Sequence, residues 1–179
     1  MEFQLSEEHR LIQEAARRIA KERIAPRAAE IDEREEFPHD LVQLLAAHGL
    51  FGLMVPETLG GSGAGVIAFL LAVEEIARAC AATATIFAGQ YLGMYPILLA
   101  GTEEQKQRFL PPLARGDRLA AFALTEPEAG SDVVALRTTA RRDGDAYVLT
   151  GAKHFITKPI QFEYAAEIVR SVLKGGDRF

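Results

Sequence analysis

The chain has 179 residues, of which 49% are hydrophobic and 25% charged, proportions typical of a globular protein that can bury a sizeable core. Its formal net charge is −5 and its basic residues are scattered, which argues against a nucleic-acid-binding surface. The single cysteine, Cys80, excludes an internal disulfide framework. Because Cys80 lies in an apolar stretch, we expect a buried structural thiol.

The N-terminal residues MEFQLSEEHR lack a basic region followed by an apolar core, so they do not resemble a secretory signal. The uncharged stretch from Ala79 to Thr102 is longer than a membrane span of ~20 residues. However, it is rich in alanine, threonine and glycine, and it contains Gln90 and Pro96. We therefore expect a soluble, cytoplasmic protein without an integral membrane segment.

The first part of the chain predicts helices. Ser6 is a candidate N-cap for an amphipathic helix that runs to about Ala25, and Pro26 falls where this helix can bend or restart. The stretch FPHDLVQLLAAHG predicts a second helix, with Pro38 near its first turn and Gly49 just beyond its end. These signals indicate a bundle of short helices.

A third helix is predicted from about Val66 to Ala88, with a break near Gly89 to Pro96. Its charged residues include the adjacent pair Glu74 and Glu75. Adjacent positions on a helix point in different directions, so a solvated edge or an interface is favoured over a pair of catalytic carboxylates.

A further helix follows in the stretch GTEEQKQRFLPPLARGD. Thr102 and Gln105 have the spacing of a capping box, which marks the start of this helix. Pro111 and Pro112 are expected to stop it.

The sequence changes from helical to strand-like patterns near Arg118. The stretch LAAFALT predicts a buried strand, and ALRTTARRDGDAYVLTGAKHFIT predicts three strands separated by an Asp143-Gly144 turn and by Gly151. The predicted fold class is therefore α+β, mainly α, with an N-terminal helical bundle domain over residues 1–118. An incomplete antiparallel β-domain follows over residues 119–160, with a helical tail over residues 161–179.

No metal site is predicted, because the four histidines are isolated and no histidine or cysteine spacing typical of metal ligands is present. The stretch FALTEPEAGSD, from Phe122 to Asp132, is the strongest candidate for a binding site. A glycine-bearing turn with two hydroxyls, from Thr125 and Ser131, can bind a polar heterocycle or an anion. It can equally be a turn in which Ser131 and Asp132 bond their own backbone, and the residues alone favour neither alternative.

Four stretches in order decide the matter: GLFGLMVPETLGGSG, GTEEQKQRFLPPLARGD, FALTEPEAGSD and GAKHFIT. Together they make residues 1–157 similar to the acyl-CoA dehydrogenase family. The resemblance implies an architecture of helices, β-barrel and helices in a homo-oligomer, a dimer or tetramer. It also implies a FAD-dependent enzyme of fatty-acid β-oxidation that forms a double bond between Cα and Cβ of an acyl-CoA. A carboxylate would take the α-proton, a hydride would pass to flavin N5, and an electron-transfer flavoprotein would receive the electrons.

The resemblance also implies roles for residues of this chain. Two segments would line the flavin, with the Thr125 hydroxyl facing its pyrimidine side and Thr157 lying near N5. Ser131 would in addition touch the acyl-CoA. The implied cofactor-binding residues are Phe122, Ala123, Leu124, Thr125, Glu126, Pro127, Gly130, Ser131, Phe155, Ile156 and Thr157.

The chain departs from the family pattern at three places. Glu128 stands where glycine is common, and Phe155 stands where tryptophan is frequent. After Thr157 the family's sequence gives way to Lys158-Pro159, and the family's catalytic glutamate lies beyond this chain, so no residue is assigned as the base. Two alternatives stay open: a non-catalytic helical binding module derived from the family, and a flavoenzyme similar to the acyl-CoA oxidases.

Overall fold

The computed structural model describes residues 4–144 and 146–157, and the tail predicted at residues 161–179 lies outside this range. Within these described residues, six α-helices are followed by two strands. They are α1 (Glu7–Ile19), α2 (Ala28–Arg34), α3 (His39–Ala47), α4 (Gly65–Ala79), α5 (Ala81–Ala100), α6 (Glu103–Ala114), β1 (Thr139–Asp143) and β2 (Ala146–Thr150). The predicted class, a mainly helical body followed by a small antiparallel sheet, is confirmed.

The predicted start of the first helix is confirmed by its capping geometry. The Ser6 hydroxyl oxygen accepts a hydrogen bond of 3.1 Å from the His9 amide at the start of α1. A π-helical turn (Ala20–Ile24) and a 3-10 turn (Ala25–Arg27) that contains Pro26 then separate α1 from α2. Helix α3 ends before Gly49, which adopts the left-handed conformation with φ +69°.

The core lies where α1 packs on α4, α4 on α5, and α5 on α6. An aromatic cluster occupies its centre, with Phe69 and Tyr91 at 4.3 Å between ring centroids and Phe87 edge-on to Tyr91. The Tyr91 hydroxyl donates to the Leu50 carbonyl and accepts from the Leu53 amide, so the buried phenol is satisfied. Burial raises the pKa of Tyr91 well above its ordinary value.

The predicted break in the third helix is wrong in position. Helix α4 ends at Ala79, and Cys80 is extended (φ −157°, ψ 114°) before α5 runs unbroken through Gly89 and Pro96. An interior proline costs about 3 kcal/mol, but α5 is apolar on all sides and buries nine residues, so packing outweighs that cost. Cys80 is buried, as expected, and its sulfur lies 3.5 Å from the Thr83 amide.

The capping box of α6 is confirmed, but the expected stop at the two prolines is wrong. Thr102 and Gln105 bond each other's backbone amides, at 3.3 and 2.9 Å. The helix continues past Pro111 and Pro112 to Ala114, because Leu113 and Ala114 are buried. It ends before Gly116, whose φ of +76° is the left-handed conformation of a helix C-terminus.

One of the predicted strand pairs forms. Strands β1 and β2 pair antiparallel around Gly144, with Thr139 opposite Thr150 and Asp143 opposite Ala146. The expected strands at LAAFALT and HFIT are not formed in the described structure. Instead of a ladder, the first segment bonds to side chains of the helical body, and the second makes a single backbone bond to the first, as described below.

The long uncharged stretch around α5 belongs to the helical body. Among residues 4–144 and 146–157, no helix is both long enough and apolar enough to cross a membrane.

Candidate functional site

The candidate site starts at the segment that leaves α6, and a buried glutamine fixes that segment. The Gln90 amide nitrogen, on α5, donates to the carbonyls of Leu113 and Arg118, each at 3.0 Å. Its amide oxygen accepts from the Ala120 amide at 2.9 Å. Gln90 is fully buried, so these bonds are made away from competing water. These bonds hold the end of α6, and the segment at residues 118–120 that leads to the site, against α5.

The close contact of this segment with α5 requires a glycine on the helix. A Cβ at Gly93 would lie 2.4 Å from the Cβ of Ala120, closer than two carbon atoms can come. The backbone at residues 120–121 therefore rests directly on the surface of α5. Together, Gln90 and Gly93 determine where the FALTEPEAGSD loop begins.

Glu126 is the structural centre of this loop. Its carboxylate accepts hydrogen bonds from the Lys153 ammonium (2.8 Å) and from the amides of Arg137 (2.7 Å) and Thr138 (3.0 Å). Its backbone also pairs with that of Ala129 across the proline turn. Glu126 is only 6% exposed, so it is a buried charge with several donors around it.

These donors stabilise the ionised carboxylate. Hydrogen bonds from the Lys153 ammonium and from the backbone amides of Arg137 and Thr138 lower the pKa of Glu126 to about 2. The residue is therefore an anion at any pH at which the protein would be used, and it is unsuited to act as a general base near neutral pH.

The two segments expected to face the flavin lie side by side. The His154 amide donates to the Thr125 carbonyl at 2.9 Å, and the Lys153 ammonium donates to the Leu124 carbonyl at 2.8 Å. Beyond this tie, Phe155 adopts a left-handed backbone with φ +55°, which is unusual for a bulky residue. Thr157 reaches a cleft bordered by Phe37 and Ile86.

The structure exposes most of the predicted site residues. Phe122 is 42% exposed and Phe155 is 90% exposed, so two aromatic side chains face outward on these segments. Leu124, Thr125 and Ile156 are half-buried. The remaining residues, apart from the buried Glu126, are exposed: Ala123, Pro127, Gly130, Ser131 and Thr157.

The self-bonded alternative holds for part of the loop only. The Asp132 carboxylate accepts from the Val134 amide at 3.2 Å and so caps a 3-10 turn (Val133–Ala135) of its own segment. Within the part of the chain that the structure describes, neither Thr125 nor Ser131 has a side-chain hydrogen bond. Their hydroxyls are available to bind a ligand, whereas the Glu126 carboxylate is already bonded within the protein.

Two functional residues are missed by reasoning from the sequence. In the sequence Gln90 is a polar interruption of an apolar helix, and such an amide, when fully buried, is a signal for a backbone-bonding role. Lys153 sits one residue before His154 in the quoted GAKHFIT motif, yet its partner, 27 positions away, cannot be read from spacing.

Elsewhere in the part of the chain that the structure describes, carboxylates do not form a second site. Glu74 lies on a solvated edge, as expected, but Glu75 does not: it is 3% exposed and pairs with Arg17 of α1 at 2.8 Å. Helix α1 supplies this partner, so the burial of Glu75 depends on tertiary packing. In the described residues, no group of three or more potential ligands could hold a metal ion.

With this geometry established, comparison with known proteins identifies the family. A sequence model described as the N-terminal domain of acyl-CoA dehydrogenase matches residues 6–117, and the model of the middle domain matches residues 121–177. The chain belongs to the acyl-CoA dehydrogenase family. The second match extends past residue 160, where the sequence predicted the β-domain to end, and the predicted domain bounds stay predictions.

Individual relatives agree with this assignment. A 3-(aryl)acrylate reductase of Clostridium sporogenes is 46% identical over 158 residues, which are 85% of this chain and 41% of that protein. An acyl-CoA dehydrogenase of Bacillus subtilis is 44% identical over 154 residues, covering 86% of this chain and 41% of the relative. The crystal structure of an acyl-CoA dehydrogenase complexed with FAD from Bacillus anthracis superposes with a TM-score of 0.79 and 37% identity, covering 85% of this chain and 26% of that one.

The chain therefore spans about two fifths of the length of the curated relatives that it matches.

Proposed function

We propose that this chain forms the flavin-facing wall of a FAD-dependent acyl-CoA dehydrogenase. One observation carries the proposal. The loop at residues 122–131 and the segment at residues 153–157 are tied edge to edge by the 2.9 Å bond from the His154 amide to the Thr125 carbonyl. Together they present the hydroxyls and the exposed aromatic side chains described above as one continuous surface.

The residues present fit the isoalloxazine ring of FAD. The exposed side chains of Phe122 and Phe155 offer apolar faces to a flat heterocycle, and the hydroxyls of Thr125 and Ser131 can donate to or accept from its polar edge. When bound, FAD supplies an acceptor for the hydride that leaves Cβ of the substrate. The residues of this chain position and shield the reacting groups.

Within the proposed site, each group has a limited task. Thr125 and Ser131 orient the ring through their hydroxyls, with Ser131 also in reach of the acyl-CoA. Phe155, Ile156 and Thr157 cover the second face and keep water out. No residue described here is assigned to take the α-proton. Transfer of electrons to an electron-transfer flavoprotein, a homo-oligomeric assembly and a role in fatty-acid β-oxidation complete the proposal.

A second function concerns the direction of the reaction. The relative from Clostridium sporogenes is named a reductase, so its name specifies the addition of hydrogen rather than its removal. A surface that only orients the flavin ring and excludes water can serve either direction of the reaction. The forward and the reverse reaction proceed through the same arrangement of reactants. We propose α,β-dehydrogenation of an acyl-CoA as the first candidate and reduction of an α,β-unsaturated acyl compound as the second.

Flavin binding tests the proposal directly. The full chain is purified, titrated with FAD and followed by the quenching of flavin fluorescence. We expect Thr125→Val, which removes a hydroxyl with little change of shape, to weaken FAD binding by about 3- to 10-fold, the effect of one hydrogen bond. The control is Thr139→Val in β1, an exposed threonine outside the proposed surface. A wild-type chain that is folded and does not take up FAD would contradict the proposal and favour a non-catalytic binding module.

The same sample separates the remaining candidates. The extent of flavin bleaching by a saturated acyl-CoA, compared with the extent of reoxidation of the reduced flavin by the matching α,β-unsaturated one, shows which direction is favoured. Rapid reoxidation of the reduced flavin by oxygen, compared with an electron-transfer flavoprotein, would favour the enzyme similar to the acyl-CoA oxidases.

A further inference from the structure

The ion pair between Glu126 and Lys153 is the most heavily bonded polar feature of the described site, and a lining role does not account for it. Its atoms are 2.8 Å apart, and the side chains are 6% and 26% exposed. Both groups therefore point into the protein. A buried charge pair is costly unless further hydrogen bonds compensate it, so the position calls for an explanation.

The bonds of this pair connect three separate stretches of chain. One carboxylate oxygen accepts from Lys153 and from the Thr138 amide, and the other accepts from the Arg137 amide. The ammonium group also donates to the Leu124 carbonyl. The pair thus joins the loop at residues 122–126, the residues that lead into β1, and the segment that starts at residue 153.

The backbone beyond the pair is held in an uncommon conformation. Phe155 has φ +55°, and its ring is 90% exposed, so its own packing does not impose that conformation. Such outliers persist where the surroundings determine them, and here the preceding residues are fixed by Lys153 and by the His154 amide. Lys153 lies two residues before this outlier.

We propose that Glu126 and Lys153 act as positioning residues, fixing the register of the two flavin-facing segments so that Thr125 and Phe155 contact one bound ring. The inference rests on the proposed function, because it specifies how that surface is kept in shape. Neither side chain touches the flavin in this scheme. The effect of the pair is transmitted through the backbone that it holds.

The decisive variant is Glu126→Gln. The side chain keeps its shape, but one oxygen acceptor becomes an amide nitrogen that donates. Because donors approach both carboxylate oxygens, the glutamine must place its nitrogen against a backbone amide or against Lys153. The matched control is Glu104→Gln, which makes the same change of charge on an exposed side chain of α6, outside the proposed surface. A second variant, Lys153→Met, removes the partner and keeps Glu126.

Two measurements on the full chain are made for each variant. Amide hydrogen exchange by NMR, without flavin, reports on the bonds of Arg137, Thr138 and His154 directly. Titration with FAD, together with circular dichroism of the bound flavin, reports on the surface. We expect exchange at these three amides to rise at least 10-fold in Glu126→Gln and Lys153→Met, and the FAD dissociation constant to rise about 10-fold. Lys153→Arg should recover part of both, and Glu104→Gln should change neither.

The outcomes separate the inference from the function on which it rests. If the three amides stay protected from exchange in both Glu126→Gln and Lys153→Met, the positioning role is overturned. It is also overturned if the amides lose protection while the FAD affinity and the circular dichroism of the flavin stay unchanged. A wild-type chain that takes up no FAD overturns the proposed function. In that case the exchange data still decide whether the pair fixes the register of the two segments.

Discussion

Gln90 is a single side chain that satisfies backbone groups at the end of one helix and at the start of the site. It is fully buried, and it bonds to the carbonyls of Leu113 and Arg118 and to the amide of Ala120. An apolar residue at this position would fill the space and leave these groups unpaired. Loss of a hydrogen-bond partner in the interior is more damaging than loss of a bond at the surface.

We expect Gln90→Met, which is close in size, to lower the free energy of unfolding by about 1 to 3 kcal/mol, the cost of leaving a buried polar group unsatisfied. Urea unfolding followed by circular dichroism measures it. The control is Gln43→Met on α3, where the glutamine is exposed. Equal stabilities of the two variants would show that the buried amide is not required.

At the scale of secondary-structure elements, local signals predicted helix starts well and helix ends less well. Ser6 and the Thr102–Gln105 box bond to amides within three residues, so spacing alone reveals them. The break at Cys80 and the continuation of α6 through Pro111 depend on which neighbouring helix covers which face. The sequence pattern does not indicate which helices are neighbours, and at these two places tertiary packing overrides the local preference to end a helix.

The candidate site also has parts that the sequence predicts and parts that it does not. The motif FALTEPEAGSD and the partner segment GAKHFIT were identified from the sequence through their resemblance to a family. The roles of Glu126 and Lys153 were not, because they depend on a contact between residues 27 positions apart. The turn chemistry of Asp132 involves its own neighbours and was foreseen as an alternative.

Helices α1 and α4 are joined by a buried ion pair whose effect depends on pH. Hydrogen bonding from Arg17, opposed by burial and assisted by the charges of Arg17 and Arg78, lowers the pKa of Glu75 below its ordinary value. A lowered pKa in the folded state means that ionised Glu75 stabilises the fold above the unfolded value of about 4.3. This stabilisation is lost as the pH falls through the lower, folded value.

We therefore expect Glu75→Gln to lower the melting temperature at pH 7, and the difference from wild type to shrink as the pH falls below about 4. Thermal unfolding at a series of pH values measures this. Glu74→Gln is the matched control, because Glu74 is exposed and pairs with Arg78 within the same helix. A difference that grows on acidification would contradict the assignment of Glu75 as the stabilising anion.

Across the whole molecule, burial is unevenly distributed. The helical body holds a continuous hydrophobic core, whereas nearly all residues of β1 and β2 are exposed. A two-stranded hairpin on its own is marginally stable in water, so this part of the structure is expected to open far more readily than the helices.

Amide hydrogen exchange tests this difference. We expect amides in residues 139–143 and 146–150 to exchange at least about 100-fold faster than those in the centres of α4 and α5, because opening the hairpin uncovers little apolar surface. The measurement is made on the full chain at one pH and temperature. Equal protection of the hairpin and the helices would mean that a further contact covers these strands.

The bonds from Gln90 of α5 to the segment after α6 also have a consequence for folding during synthesis on the ribosome. Gln90 leaves the ribosome 30 residues before its partner Ala120, an interval of about 1.5 to 6 s at ordinary translation rates. Helices form within microseconds, so α5 can be in place before the segment that leads into the site is synthesised. The loop from Phe122 to Asp132 would then emerge next to a folded helix, and its first residues could dock in the order in which they are made.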